Sequence, residues 1–126
     1  MPSQEELKEF WEKCGFKHPN IEKAPWLVPL GENPNELWVY PDDLNYARID
    51  PPELTLDNLF KYAVPKLIPK GSQGGVEFRF YPGGTSCILT LEDETGFNEA
   101  EYFLDGSNNP AIALYQAIKE VFDGQS

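Results

Sequence analysis

Two stretches of the chain carry apolar side chains at helical spacing and predict helices over residues 4–14 and 110–122. The apolar positions are Leu7, Phe10, Trp11 and Cys14 in the first stretch, and Ala113, Leu114, Ala117, Ile118, Val121 and Phe122 in the second. Ser3 is the expected N-cap of the first helix. Asn109 is the expected cap of the second, and Pro110 takes its first helical position, where a missing N–H costs nothing.

A third helix is predicted over residues 56–64, again from apolar residues that share one helical face. Thr55 precedes the pattern as a candidate N-cap. Pro65 follows it, and because proline lacks a backbone N–H we expect it to end or kink this helix.

Between the second and third of these helices, in chain order, the pattern alternates with a period of two and predicts three strands. Residues 76–81 place Val76, Phe78 and Phe80 on one face, and residues 87–91 place Cys87, Leu89 and Leu91 toward a core. The third strand, residues 100–104, is ambiguous, because Tyr102 and Phe103 compete for the inward position and a one-residue shift exchanges them. The strands follow one another through short polar turns, which favours an antiparallel meander.

Residues 19–52 contain seven of the 12 prolines and exclude a long helix. Two short apolar runs, 26–28 and 37–40, flank turn-forming residues at 31–35, and we predict a short hairpin from them. With the other elements this gives an α+β fold, in which three helices pack with a three-stranded antiparallel meander and an extra short hairpin. A chain of 126 residues is expected to form one domain, residues 1–126, with the irregular proline-rich segment at 19–52.

The charge of the chain indicates which class of partner it can bind. The formal net charge is −11, and no Lys or Arg lies between Arg79 and Lys119. That interval contains the acidic residues Glu92, Asp93, Glu94, Glu99, Glu101 and Asp105. Such a surface repels phosphate backbones and anionic membranes, so we expect neither direct nucleic-acid binding nor membrane binding. Either the charge only keeps the protein soluble, or the expected partner is a basic protein surface and the six acidic residues are the candidate binding surface.

The sequence carries no motif that indicates catalysis, a metal or a cofactor. His18 is the only histidine, so it cannot join a second histidine in a metal site, and no serine lies in a nucleophile motif. Cys14 and Cys87 are expected to be reduced and buried. The N-terminal residues lack the pattern of a signal peptide and no apolar run approaches a membrane span, so we expect a cytoplasmic protein that is not an enzyme.

Four aromatic residues in the proline-rich segment form an alternative candidate surface: Trp26, Trp38, Tyr40 and Tyr46. Aromatic side chains dominate binding hot spots, which favours a surface for a small molecule or a peptide. They equally bury a loop against a core, and we favour this structural role.

Three segments also resemble a known family. They are Asp-Leu-Asn at 43–45, Cys-Ile-Leu-Thr-Leu-Glu-Asp at 87–93 and Ala-Ile-Ala-Leu-Tyr-Gln-Ala-Ile at 111–118. In these segments the chain is similar to small phage and prophage proteins described as the phage ABA sandwich domain, whose function is unknown. The resemblance spans residues 20–122 and implies a phage setting with helices layered on a sheet, but it attaches no catalytic residues.

We therefore expect a non-enzymatic acidic interaction protein of phage or mobile-element origin, which blocks a basic, nucleic-acid-binding site on a host protein. One alternative is a small-molecule or peptide binding domain that uses the aromatic segment. The other is a homo-oligomeric structural accessory protein, with an edge strand of the meander or the last helix as its contact.

Overall fold

The computed structural model describes residues 2–19, 22, 26, 28, 31, 33–44, 47–49, 51–69 and 73–124. The chain divides into two compact units, Pro2–Pro52 and Glu53–Ser126. The expectation of one domain stays a prediction.

The N-terminal unit begins with helix α1, Gln4–Lys13. The backbone N–H of Glu6 donates to the Ser3 side-chain oxygen at 3.1 Å, so the predicted N-cap is confirmed. Gly15 follows the helix with φ of 105°, a conformation that glycine adopts without the steric cost a Cβ brings.

The predicted hairpin of the N-terminal unit exists, but its partner strand was predicted wrongly. Strand β1, Trp38–Val39, pairs with β2, Ala47–Arg48. Of the predicted partner run 26–28, residues 26 and 28 belong to no strand, and residue 27 lies outside the described residues. The chain reverses at residues 40–43, where the Asp43 N–H donates to the Tyr40 carbonyl at 3.1 Å. The Arg48 guanidinium lies 4.1 Å from the centre of the Tyr40 ring, a cation–π contact that favours this pairing.

The core of the N-terminal unit is aromatic. Phe16 packs edge-to-face against Trp11 and Tyr40, with ring centres 5.4 and 4.9 Å apart. Backbone hydrogen bonds between Lys17 and Val39 then tie the chain after α1 to β1. The proline-rich segment is therefore anchored by buried rings, which is the structural role expected for some of its aromatic residues.

Helix α2 opens the C-terminal unit and continues further than predicted. It consists of Leu56–Asn58, a π-helical turn at Leu59–Ala63, and Val64–Leu67. The cap is confirmed, because the Asn58 N–H donates to the Thr55 hydroxyl at 3.2 Å. Of the two outcomes expected at Pro65, an end or a kink, the structure excludes the end, because the helix continues to Leu67.

The π-helical turn gives the physical reason why Pro65 does not end α2. The Val64 N–H donates to the Leu59 carbonyl, five residues back. This wider turn precedes Pro65, whose ring would otherwise clash with the carbonyl four residues earlier.

A three-stranded antiparallel sheet and helix α3 complete the C-terminal unit. The strands are β3, Gly75–Tyr81, β4, Gly84–Asp93, and β5, Gly96–Asp105, in that spatial order. Helix α3, Pro110–Gly124, packs on β4 and β5. The side-chain oxygen Oδ1 of Asn109 caps it by accepting from the Ala111 N–H at 3.0 Å. With α1 and α2 this gives three helices and two antiparallel sheets among the described residues, which confirms the α+β fold.

The central strand of the three-stranded sheet is buried on both faces, with Ser86 and Ile88 buried on one side, so it is the edge strands that differ in burial between the faces. Cys87 and Leu89 on the central strand are buried, and their partners on β5, Tyr102 and Ala100, are half-buried. This is the face covered by α3, so Tyr102 takes the inward position and Phe103 the outward one. We call the opposite side, which carries the outward residues of β3 and β5, the open face.

Candidate functional site

The negative charge of the C-terminal unit belongs to its sheet. Residues 75–105 carry seven acidic side chains and one basic one, Arg79, which gives a net charge of −6. The remaining residues of the unit, 53–74 and 106–126, carry four acidic and four basic side chains, and their net charge is zero. The helices of this unit therefore do not contribute to its acidity.

The strand register brings most of the predicted acidic residues to the open face. Residues that pair across antiparallel strands share a face, and every second residue along a strand returns to it. The acidic residues that the register places there are Glu77, Glu92, Glu99, Glu101 and Asp105. Glu77 was not singled out from the sequence, although the alternation of residues 76–81 was sufficient to place it on this side.

Two of these carboxylates accept hydrogen bonds, one from the central strand and one from the chain just before β3. Glu101 accepts from the Ser86 hydroxyl at 2.7 Å, and Glu92 accepts from the Gln73 backbone N–H at 2.9 Å. Ser86 is buried on the central strand, so its hydroxyl holds the Glu101 side chain against the sheet. A carboxylate that is fixed in this way loses less side-chain entropy when a partner binds.

The other two predicted acidic residues lie at the hairpin that joins β4 to β5. Glu94 is exposed in the turn between the strands. Asp93 is the last residue of β4 and pairs with Gly96, and the orientation of its side chain lies outside the described part of the structure.

Aromatic side chains are interleaved with the carboxylates. Phe97 and Phe103 on β5 are about half exposed, and Tyr81 at the end of β3 lies with its ring centre 6.3 Å from that of Phe103. An open face that carries both carboxylates and aromatic rings can contact Lys or Arg side chains by ion pairs and by cation–π contacts.

Arg79 is the only cation of the sheet, and it lies on β3 beside an acid. Its Nε donates to the Glu77 carboxylate at 2.5 Å, and both side chains are more than half exposed. The hydrogen bond from Glu77 and the attraction of its charge raise the pKa of the Arg79 guanidinium. The charge pattern of β3 therefore differs from that of β5, which carries acids alone.

The alternative aromatic surface is not brought together as a surface. Trp38 and Tyr40 are buried in the N-terminal unit, whereas Trp26 is 73% exposed. Tyr46 lies outside the described residues. For Trp38 and Tyr40 the structural role is the one observed, because both rings pack against Phe16 in the aromatic core.

One edge of Trp38 nevertheless lines a cavity of about 290 Å³ in the N-terminal unit. The other lining residues are Gln4, Leu7, Lys8 and Pro51. The wall is mainly apolar, and Lys8 supplies a positive charge. Sequence reasoning missed this cavity, because its walls come from α1 and from the far end of the proline-rich segment.

The histidine and the two cysteines, which could in principle act in catalysis, are packed into the protein interior or against aromatic rings. His18 Nδ1 lies 2.8 Å from the Leu37 carbonyl oxygen, and its ring packs on Trp38 at 4.6 Å. Both cysteines are buried thiols. Burial raises the pKa of Cys87 from 9.0 to about 11, so its thiol is protonated at neutral pH and is a weak nucleophile.

Within the described ranges, no group of three or more His, Cys, Asp or Glu side chains is arranged to hold a metal ion. None of the helices in those ranges has the length and apolar character that crossing a bilayer requires. Comparisons with protein-family models, with curated proteins and with solved structures found no significant match to this chain.

Proposed function

We propose that this chain is a non-enzymatic acidic interaction protein of phage or mobile-element origin, whose open sheet face occupies a basic, nucleic-acid-binding site on a host protein. The observation that carries the proposal is the convergence of five carboxylates on one face of one sheet. The phage setting rests on the resemblance of segments 43–45, 87–93 and 111–118 to the phage ABA sandwich domain.

The geometry of β5 supports imitation of a nucleic-acid strand. Glu99 and Glu101 stand on alternate residues of one strand, so their backbone attachment points repeat at about 6.8 Å. Charges in a row at this spacing resemble successive phosphates along a nucleic-acid strand. Exposed Phe97 and Phe103 flank the row and offer the stacking contacts that nucleic-acid-binding proteins make with bases.

Capture followed by competition tests this function. The chain is immobilised, host proteins are bound at about 50 mM salt, and the captured proteins are challenged with DNA or with about 500 mM salt, where the Debye length is much shorter. The proposal expects a basic protein that is released by both. Capture of no basic protein at low salt, or capture that nucleic acid does not displace, contradicts it.

A matched pair of triple variants locates the surface. The test variant, Glu99→Gln with Glu101→Gln and Asp105→Asn, neutralises the open face, and we expect it to lose capture. The control variant, Glu5→Gln with Glu9→Gln and Glu12→Gln, removes the same charge from exposed positions of α1. Equal loss in both variants would assign the effect to net charge and not to the open face.

A second candidate function is supported by the cavity against Trp38. Its apolar wall and the Lys8 ammonium suit a small molecule or peptide end with an apolar body and a negative charge. A thermal-shift panel of such carboxylates tests it, since a ligand that binds only the folded state raises the melting temperature. A shift that Lys8→Gln abolishes supports the cavity. A panel without any shift, or a shift unaffected by Lys8→Gln, is evidence against it.

A further inference from the structure

We propose that two copies of this chain pair through the exposed edge of β3, about a two-fold axis at Phe78, to form one continuous six-stranded sheet. Strands β3 and β5 are the two edges of the three-stranded sheet, because β4 lies between them. The proposal is independent of the function of the open face. It rests on the hydrogen-bonding direction, the charges and the exposed apolar residues of β3.

The direction of the free backbone groups on β3 follows from the register. The Gly106 N–H donates to the Gly83 carbonyl, so odd-numbered residues of β4 direct their hydrogen bonds toward β5 and even-numbered ones toward β3. Each even-numbered residue of β4 pairs with an odd-numbered residue of β3. The N–H and C=O groups of Val76, Phe78 and Phe80 therefore point away from the sheet and are available to a partner strand.

An antiparallel second copy matches this edge over its whole length. If Phe78 pairs with Phe78 of the second copy, Gly75 aligns with Tyr81 and all residues of β3 have a partner. The outward groups of Val76 then face those of Phe80. If the axis shifts by one residue along the strand, the outward backbone groups of the two copies still face each other, but fewer residues are paired.

The same register matches the charges on the open face. It places Glu77 directly opposite Arg79 of the second copy, and the two-fold axis creates this pair twice. Centring the axis one residue earlier puts Glu77 opposite its own copy, and one residue later puts Arg79 opposite its own copy. Like charges directly opposite are unfavourable in a sheet, so only the full-length register joins opposite charges.

The face covered by α3 gives the apolar part of the argument. Helix α3 lies over β4 and β5, and Phe80 on β3 keeps 58% of its surface exposed. Phe78 and Phe80 already stack within one chain, with ring centres 6.3 Å apart and an angle of 23°. In the paired sheet, Phe80 lies opposite Val76 of the second copy, and the rings of the two chains form one apolar strip.

The other edge of the sheet does not fit a second copy. The outward backbone groups of β5 belong to residues 97, 99, 101, 103 and 105, and three of these residues are acidic. Antiparallel self-pairing about Glu101 puts two carboxylates opposite each other, and shifts of the axis to position 100 or 102 pair acids again. This charge protects β5 against edge association, which closes the assembly at two copies.

Charge reversal of single positions tests the pairing. The mass in solution is measured by sedimentation over a range of protein concentrations, and the expected mass at high concentration is twice the 14.3 kDa of one chain. Glu77→Arg and Arg79→Glu each create like charges across the axis, so each variant alone is expected to be a monomer. An equimolar mixture restores both opposite-charge pairs and is expected to form a heterodimer.

The mixture also separates lost pairing from lost folding, since variants that fail to fold would not associate on mixing. Circular dichroism of each variant alone confirms that it is folded. A proline comparison tests the backbone part: Val76→Pro removes an outward N–H on β3 and is expected to abolish the dimer, whereas Glu101→Pro does the same on β5 and is expected to leave it intact. A monomeric wild-type protein, single variants that dimerise normally, or a mixture that stays monomeric overturns the proposal.

Discussion

The two edge strands of one sheet differ in what they permit. Strand β3 carries Glu77 and Arg79 on its open-face side, so it is complementary to itself, while β5 carries Glu99, Glu101 and Asp105 and repels itself. Both present free backbone groups, and both keep phenylalanine side chains exposed. The difference between the edges therefore lies in charge and not in backbone or hydrophobicity.

This difference shows how one cation can direct association on an acidic surface. Arg79 is the only basic residue among positions 75–105. Without it both edges of the sheet would be self-repulsive. With it, one edge is suited to a second copy and the other to a basic partner, so the two kinds of contact need not compete.

The largest expected effect comes from the position where β4 leaves its turn and meets both edges. A Cβ at Gly84 would lie 2.2 Å from the Leu104 carbonyl oxygen and 2.8 Å from the Phe103 ring. Gly84→Ala must therefore displace β5 backbone, and we expect a loss of roughly 2–4 kcal/mol in the free energy of unfolding. Urea denaturation measures it.

Gly83→Ala is the matched control, because a Cβ there meets nothing within 4 Å. A Gly84→Ala protein as stable as the wild type would show that the close approach of β4 and β5 is not needed. In that case β4 would not hold the two differently charged edge strands at a fixed separation.

The next effect concerns the central strand on the side away from the charges. Burial raises the pKa of Cys87 from 9.0 to about 11. Between these values the unfolded chain releases the thiol proton and the folded chain keeps it, so stability is retained below pH 9 and falls as the pH rises toward 11. The expected loss is about 2–3 kcal/mol.

Urea unfolding at pH 9 and pH 11, compared between the wild type and Cys87→Ala, isolates this contribution from other titrating groups. The variant lacks the thiol, so its stability should fall less over the interval. An equal fall in both proteins would mean that Cys87 titrates normally and that α3 does not seal the central strand.

The sequence predicted the elements whose signals are local. Alternation along 76–81 and 87–91 and the caps at Ser3, Thr55 and Asn109 are properties of neighbouring residues, and the structure confirms them. The acidic residues of the meander were found by counting, because charge needs no knowledge of packing.

The sequence could not supply features that depend on distant contacts. The pairing of β1 with Ala47–Arg48 is accompanied by a cation–π contact between Arg48 and Tyr40, which no short pattern encodes. The choice between Tyr102 and Phe103 required the register of β5 on β4. The opposition of Glu77 and Arg79 across a two-fold axis required the direction of the free backbone groups on β3.

A smaller effect is expected where the central strand supports the acidic edge. Ser86→Ala removes the hydroxyl that donates to Glu101 at 2.7 Å. We expect a loss of about 1 kcal/mol in the free energy of unfolding, the typical net value of one hydrogen bond to a group that water can partly solvate.

Binding of a basic partner should weaken as well, since Glu101 becomes less ordered. Ser107→Ala, outside the open face, is the control for a lost serine hydroxyl, and unchanged partner binding by Ser86→Ala would contradict a role for this support.

The substitution with the smallest expected effect on stability, Arg79→Gln, is the most direct test of the charge difference between β3 and β5. Glu77 and Arg79 form an exposed ion pair within one chain, and water screens such pairs so that they contribute little to stability. Arg79→Gln should therefore leave the free energy of unfolding of a dilute monomer nearly unchanged in urea denaturation. In sedimentation at high concentration the same substitution removes both charge pairs of the dimer and leaves Glu77 opposite a neutral residue, so association should weaken. If stability and association fell together, the ion pair would be supporting the strand itself. If neither changed, charge would not be what distinguishes β3 from β5.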